Sequence, residues 1–396
     1  MKLPFEILSL TLSQVVQRLL YISRVVRKED WQYSLLPFLL GLTYLWVWWF
    51  ELHSNPSTFL MLIFFAISAV GFAALGYLIN ETFDVEQDTI AGKKNRMVPL
   101  SYPVRAIIFL LAAFMAFVPW CWLPSNNLTW WVLISELVCF LVYSAPFPRL
   151  KDVPIVAEIL DMAYAYLIPA ILSLHTFSGI GSPYSYQIWQ WLLLVGVALT
   201  GLRNILIHRL NDRENDQRSG LLTLPILLGT GWASVLVAAL VVIESFCYFS
   251  ALLLLWTERS SALAILTAYV LFILLRFFFK RISSNAAAVS TERWMHLLDP
   301  FHQMIFPLLM LLLLAIDQPY WIIGFLIHAG LFLPDHVFQK MVILFRRHVP
   351  TTVNKMRVII GRIVNLLIYL LFNAFGVNLR KENTDALGYL RAKFKG

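Results

Sequence analysis

Two sets of polar residues stand out for their spacing. Asn80, Asp84 and Asp88 lie four residues apart within NETFDVEQDTIAGKKNR (80–96), and Asn204, His208, Asp212 and Asp216 repeat that step later in the chain. On a helix, residues four apart share one face, so each set presents a column of ligand atoms in one direction. Each set also closes a long apolar run. Carboxylates beside hydrocarbon are costly unless cations or water satisfy them. Magnesium is a hard cation held by a few carboxylates together with phosphate oxygens and water, and it meets that need. Asp84 and Asp88 offer one ligand pair, Asp212 and Asp216 the other, and Asn80 a neutral oxygen. Lys93, Lys94, Arg96, Arg149 and Lys151 supply cations for the remaining oxygens of a diphosphate.

The elements that position these residues are membrane helices. Hydrophobic residues make up 59% of the 396 and charged residues only 14%, with a mean hydropathy of +0.72. A soluble domain carries about 25% charge. The expected fold is therefore all-α and polytopic. Stretches apolar and long enough to span fall at roughly 33–50, 57–79, 103–123, 128–145, 154–176, 187–210, 225–256, 261–280 and 296–316, about nine in all. Lys and Arg concentrate after the second span (Lys93, Lys94, Arg96, Arg105), the fourth (Arg149, Lys151), the sixth (Arg209, Arg213, Arg218) and the eighth (Lys280, Arg281, Arg293). Arg259 is the exception on the opposite side. The positive-inside rule places these loops and the N-terminus in the cytoplasm, which in a bacterium means the inner membrane. Both acidic sets follow even-numbered spans, so they face one side and can meet.

Three segments follow from this pattern. Residues 1–30 read as an amphipathic helix on the membrane surface, with Leu8, Leu12, Val15, Leu19, Ile22 and Val26 at helical spacing. Residues 31–317 hold the spans. Residues 318–396 form a basic C-terminal extension, amphipathic or with an extra spanning pair that includes 357–376. No cleavable signal peptide is expected. The net charge of +8 is explained by inner loops and anionic lipid, so nucleic acid is not an expected partner. Cys121, Cys139 and Cys247 lie in apolar runs without metal or disulfide spacing. The acids cluster at one side, which argues against a through-path for a transporter.

A bilayer-embedded pocket with a polyanion site suits a substrate with a charged head and a long apolar tail. Aromatic residues reach 15% and can shield a carbocation. An allylic diphosphate meets these demands. Its ionisation leaves a cation that an electron-rich, lipophilic acceptor attacks.

The arrangement resembles the UbiA superfamily of intramembrane prenyltransferases over roughly residues 30–316. That family's first motif reads N-D-x-x-D-x-x-x-D, matched by Asn80-Glu81-Thr-Phe-Asp84-Val-Glu-Gln-Asp88, with Glu81 where Asp is usual. Its second motif ends D-x-x-x-D, matched by Asp212 and Asp216 and followed by Gly220 and Thr223. The turn Tyr143-Ser-Ala-Pro-Phe-Pro-Arg149-Leu-Lys151 is similar to a Y-S-x-P-x-x-R-L-K segment seen in part of the family, and Asn95-Arg96 to its N-R-P stretch, with Met97 in place of the proline. Asn204 and His208 stand where many members have Tyr and Lys, and Arg203 or Lys151 is the expected substitute for that lysine's phosphate contact. The resemblance implies nine helices around a central cavity, Mg²⁺, a prenyl diphosphate donor and a lipophilic, aromatic acceptor. A terpene cyclase, or a transferase joining a phosphosugar to a lipid phosphate, shares the fold. Asp161, Asp299 and His302 lie near the inner helix ends and are further candidates for substrate contact.

Overall fold

In hydrocarbon the backbone can satisfy its polar groups only within the chain, and long apolar runs therefore become helices. The computed structural model describes residues 25–90, 92, 95–179, 186–218, 220–283 and 295–333, and contains no strand among them. The helices that carry the fold are α1 (Leu35–Trp49), α2 (Ser57–Phe83), α3 (Val85–Ile90), α4 (Tyr102–Phe117), α5 (Asn127–Ser144) and α6 (Val156–Phe177). They continue with α7 (Ile188–Asn211), α8 (Arg213–Arg218), α9 (Leu224–Glu258), α10 (Leu263–Ser283), α11 (Phe301–Asp317) and α12 (Trp321–Phe332). These belong to the compact unit Ile22–Phe332. Lys93, Lys94 and Arg293 lie outside the described residues, as do residues 1–24 of the expected surface helix and residues 334–396 of the extension.

All of the stretches expected to span are helical. Among the described residues, six helices have the length and apolarity to cross a membrane: α2, α4 with its extension to Cys121, α5, α6, α7 and α9. The other expected spans correspond to shorter apolar helices in α1, α10 and α11, and α12 is a fourth of this kind. The 15 residues of α1 rise about 22 Å, less than the ~30 Å of a hydrocarbon core.

Local sequence sets the helix ends. Asn126 caps α5: its Oδ1 accepts from Thr129 N at 3.0 Å, and Thr129 Oγ1 accepts from Asn126 N at 3.1 Å. The same helix stops at Ser144 because Ala145 precedes a proline and turns extended (φ −63°, ψ 151°). Two π turns, Ala163–Leu167 in α6 and Phe301–Ile305 in α11, each precede a proline, Pro169 and Pro307. A proline cannot donate to the preceding turn, and the wider turn absorbs that break.

The principal packings are α7 on α9, α2 on α4, and α1 on both α6 and α11. Between α2 and α4 the backbones nearly touch. Ser68 Oγ donates to Ala116 O at 2.6 Å, and a Cβ added at Gly71 would stand 2.2 Å from Ala116 N. Only a residue without a side chain permits that approach. Gly231 has nothing within 4 Å of such an atom. Gly71→Ala is expected to lower the unfolding free energy in detergent by about 2–3 kcal/mol, as overpacking does, whereas Gly231→Ala leaves it unchanged or raised; equal effects would contradict the close packing.

Candidate active site

Both acidic sets sit on helices that break and continue in the same way. α2 ends at Phe83, Asp84 takes φ −95° and ψ 1°, and α3 follows. α7 ends at Asn211, Asp212 takes φ −88° and ψ 1°, and α8 follows. Hydrogen bonding four residues back persists through each break, from Asp84 N to Asn80 O (3.0 Å) and Asp88 N to Asp84 O (2.8 Å). The second set has the matching bonds from Asp212 N to His208 O (3.0 Å) and Asp216 N to Asp212 O (2.9 Å). The four-residue periodicity therefore survives, and each column keeps its direction.

Cations of the protein cluster on these acids. Lys151 Nζ donates to Asp84 Oδ1, and Arg149 Nη2 donates to the same oxygen at 3.2 Å. Arg149 Nε also holds Asp152 Oδ2 at 2.9 Å, fixing the turn that carries both cations. Burial pushes the Lys151 ammonium below its usual pKa, and Asp84 partly offsets that shift. Asp88 Oδ2 accepts from Asn95 Nδ2 at 2.9 Å, and Glu81 Oε2 from Arg96 N at 2.9 Å, so the stretch after α3 is tied back to the motif. In the second set, Arg209 Nη1 lies 3.7 Å from Asp216 Oδ2, and His208 Nε2 is 3.7 Å from Asp212 Oδ2.

A cavity of about 1000 Å³ joins the two columns. Asn80, Asp84, Asp88, Arg96 and Lys151 line it, as do Asn204, His208, Asp212 and Asp216. Arg149 is not part of the lining and acts on it through Asp84. Deeper in, the wall is apolar and aromatic, with Phe38, Leu42, Phe65, Phe72, Phe140 and Leu172. Tyr164, Ala165 and Tyr166 are consecutive yet all line the cavity, on the π turn. Successive residues of a regular helix point about 100° apart, so the wide turn bears on this surface. Asn204 Nδ2 donates to Tyr166 Oη at 2.8 Å.

The other candidates are each held by partners within the protein. Arg203 is fully buried, not a phosphate contact: its Nε donates to Glu244 Oε2 at 2.7 Å and its Nη2 to Asp299 Oδ1 at 2.6 Å. Asp299 lines the cavity, but its Oδ2 is bound to His296 Nδ1 at 2.6 Å. His302 is buried 3.5 Å from Glu244 and does not line the cavity. Asp161 lines it and accepts from Tyr164 Oη at 2.6 Å. Sequence reasoning missed Arg209 as a partner of Asp216, because a charge in a basic inner loop reads as a topology determinant. It also missed Arg27, Asp30 and Trp31, which line the cavity at the end of the segment read as a surface helix.

Two carboxylate pairs around one cavity can hold Mg²⁺ whose remaining ligands are phosphate oxygens and water. Among the described residues, no three or more His, Cys, Asp or Glu stand close enough to hold an ion unaided. The sequence profile of the UbiA prenyltransferase family matches residues 35–298, most of the chain. The chain belongs to this family. No curated protein matches. Among solved structures, the fold is similar to that of a UbiA homolog from Archaeoglobus fulgidus bound to GPP and Mg²⁺, with TM-score 0.52 and 17% identity over 74% of this chain and 99% of that one. The same homolog bound to DMAPP and Mg²⁺ gives TM-score 0.51 and 17% identity, over 74% and 99%. As a UbiA family member with six helices among the described residues able to cross a bilayer, the protein is integral to a membrane.

If the cavity mouth is a polyanion site, Lys151→Met removes a charge-assisted contact worth about 1.5–3 kcal/mol. Calorimetric affinity for inorganic diphosphate with Mg²⁺ is expected to fall at least about ten-fold; an unchanged affinity would show that Lys151 serves Asp84 alone.

Proposed function

We propose that this UbiA family member transfers a prenyl group, with Mg²⁺, from a prenyl diphosphate to a lipophilic, aromatic acceptor. The observation that carries the reading is the placement of Asp84, Asp88, Asp212 and Asp216 around one cavity whose inner wall is apolar. The Archaeoglobus homolog, solved with GPP or DMAPP and Mg²⁺, supports the donor class and the metal. On this reading the four aspartates hold the metal and Asn80 assists. Lys151, Arg96, Asn204 and His208 contact the diphosphate, with Arg149 acting through Asp84. Lys93 and Lys94 complete the phosphate contacts.

Bound Mg²⁺ would supply neutralisation of the charge that collects on the departing diphosphate. The residues of the chain do the rest. Lys151 and Arg96 add positive charge at the mouth, where the carbon–oxygen bond breaks and its electron pair leaves with the diphosphate. The tail lies among Phe38, Phe65 and Phe72, away from the face of α5 that carries Glu136, and these rings exclude water. Tyr164 and Tyr166 line the cavity, and their rings shelter the allylic cation until an acceptor carbon attacks and loses its proton.

The complete architecture is proposed to have about nine spans, with the short helices α1, α10 and α11 joining the six long ones. Residues 31–317 form the transferase domain and 318–396 an extension, and the 1–30 segment ends at the cavity through Arg27 and Asp30. The Lys and Arg distribution supports a cytoplasmic site, in the inner membrane if the source is bacterial.

Asp84→Ala and Asp212→Ala are each expected to lower Mg²⁺-dependent product formation from radiolabelled geranyl diphosphate by at least about 10³-fold while the protein still inserts and folds. Full activity in either variant would refute the site. Labelled product formed without any acceptor would favour cyclisation instead.

A further inference from the structure

Glu136 is the one buried carboxyl of the cavity wall to which no role has been given. It lies in the middle of α5, is 3% exposed and lines the cavity. Among the described residues it makes no hydrogen bond and no ion pair. Every other buried acid of this region has a partner: Glu81 has Arg96 N, Glu244 has Arg203, and Asp299 has both Arg203 and His296. Asp216 has Arg209 at 3.7 Å.

Its depth is set by the helix. Ser144 Oγ donates to Asn80 Oδ1 at 3.1 Å, which puts the C-terminal end of α5 level with the first acidic column. Glu136 lies eight residues earlier, about 12 Å further into the bundle. Phe140, one turn away on the same face, packs against α2 at Gly76. The carboxyl thus faces the apolar stretch of the cavity, beyond the reach of the metal and phosphate groups. An ionised carboxylate there has no counter-charge, whereas the neutral acid offers one O–H donor and an accepting oxygen. A hydrocarbon tail beside it would leave both unsatisfied, a costly arrangement.

We infer that Glu136 forms a recognition site for a hydroxyl or carbonyl oxygen on the lipophilic acceptor. The inference rests on reading this cavity as the prenyl-transfer site. It adds that the acceptor carries an oxygen about 12 Å further into the bundle than Asn80 and that Glu136 selects for it. Glu136 is a binding and specificity residue on this account, and takes no part in ionising the donor.

The test uses the purified full chain in detergent, without prenyl diphosphate, titrated with tritiated 2-naphthol and tritiated naphthalene. These are an oxygenated and a bare aromatic probe of the same shape. The ratio of the two affinities in the wild type is expected to fall about ten-fold in Glu136→Leu, and to be largely kept in Glu136→Gln, which retains a donor and an acceptor. Glu136→Met, unbranched and close to Glu in shape, repeats the apolar arm if Leu disturbs packing. Binding of geranyl diphosphate with Mg²⁺ reports that each variant keeps its fold. A ratio unchanged in the apolar variants, or equal affinities of the two probes in the wild type, would overturn the assignment. Absence of geranyl diphosphate binding in the wild type would instead remove the transfer reading and leave the probe ratio to stand or fall separately.

Discussion

A carboxylate at the end of a membrane helix must find positive charge or water, and most polar contacts near this cavity answer that constraint. Desolvation disfavours the charge, and a nearby cation restores it. Asp84 has Lys151 and Arg149, Asp88 has the Asn95 amide, and Asp216 has Arg209. These partners arrive from three connections: the turn after α5, the stretch after α3 and the end of α7 itself. A site that must trade these contacts for metal and phosphate needs them to be polar and replaceable, and the lysine and arginine side chains at the mouth are both.

The scaffold holds the acids without filling the space between them. Each column stays continuous across its break because the hydrogen bonds four residues back are retained. α7 is pinned by Arg203, whose guanidinium joins Glu244 of α9 to Asp299 just before α11. That cluster is satisfied within the protein, which explains how so much charge persists in the bundle interior. The π turn of α6 then brings Tyr164 and Tyr166 to the cavity together, and Tyr166 meets Asn204 beside the second column.

Much of this was legible in the sequence, because it depends on periodicity. Steps of four located both columns, apolar runs located the helices, and Lys/Arg asymmetry predicted that the columns share a side. The missing part depends on packing between distant segments. Nothing in the spacing around Arg203 distinguishes a phosphate contact from a buried clamp; that needed the positions of Glu244 and Asp299, 41 and 96 residues away. Glu136 was visible as an acid in an apolar run, but only the fold shows that it faces a cavity and not another helix. The short helices α1 and α11 show a further limit, since apolar stretches can be judged for length only after their ends are fixed by caps and prolines.

On the proposed function, both aspartate pairs grip one metal–diphosphate cluster. The most direct measurement loads the purified chain with Mn²⁺ and a non-ionising thiolo analogue of geranyl diphosphate, and reads phosphorus hyperfine coupling to manganese by pulsed electron paramagnetic resonance. Strong coupling is expected in the wild type, and its loss or marked reduction when either pair alone is replaced, as Asp84→Asn with Asp88→Asn or Asp212→Asn with Asp216→Asn. Coupling that persists undiminished after one pair is removed would contradict a shared cluster.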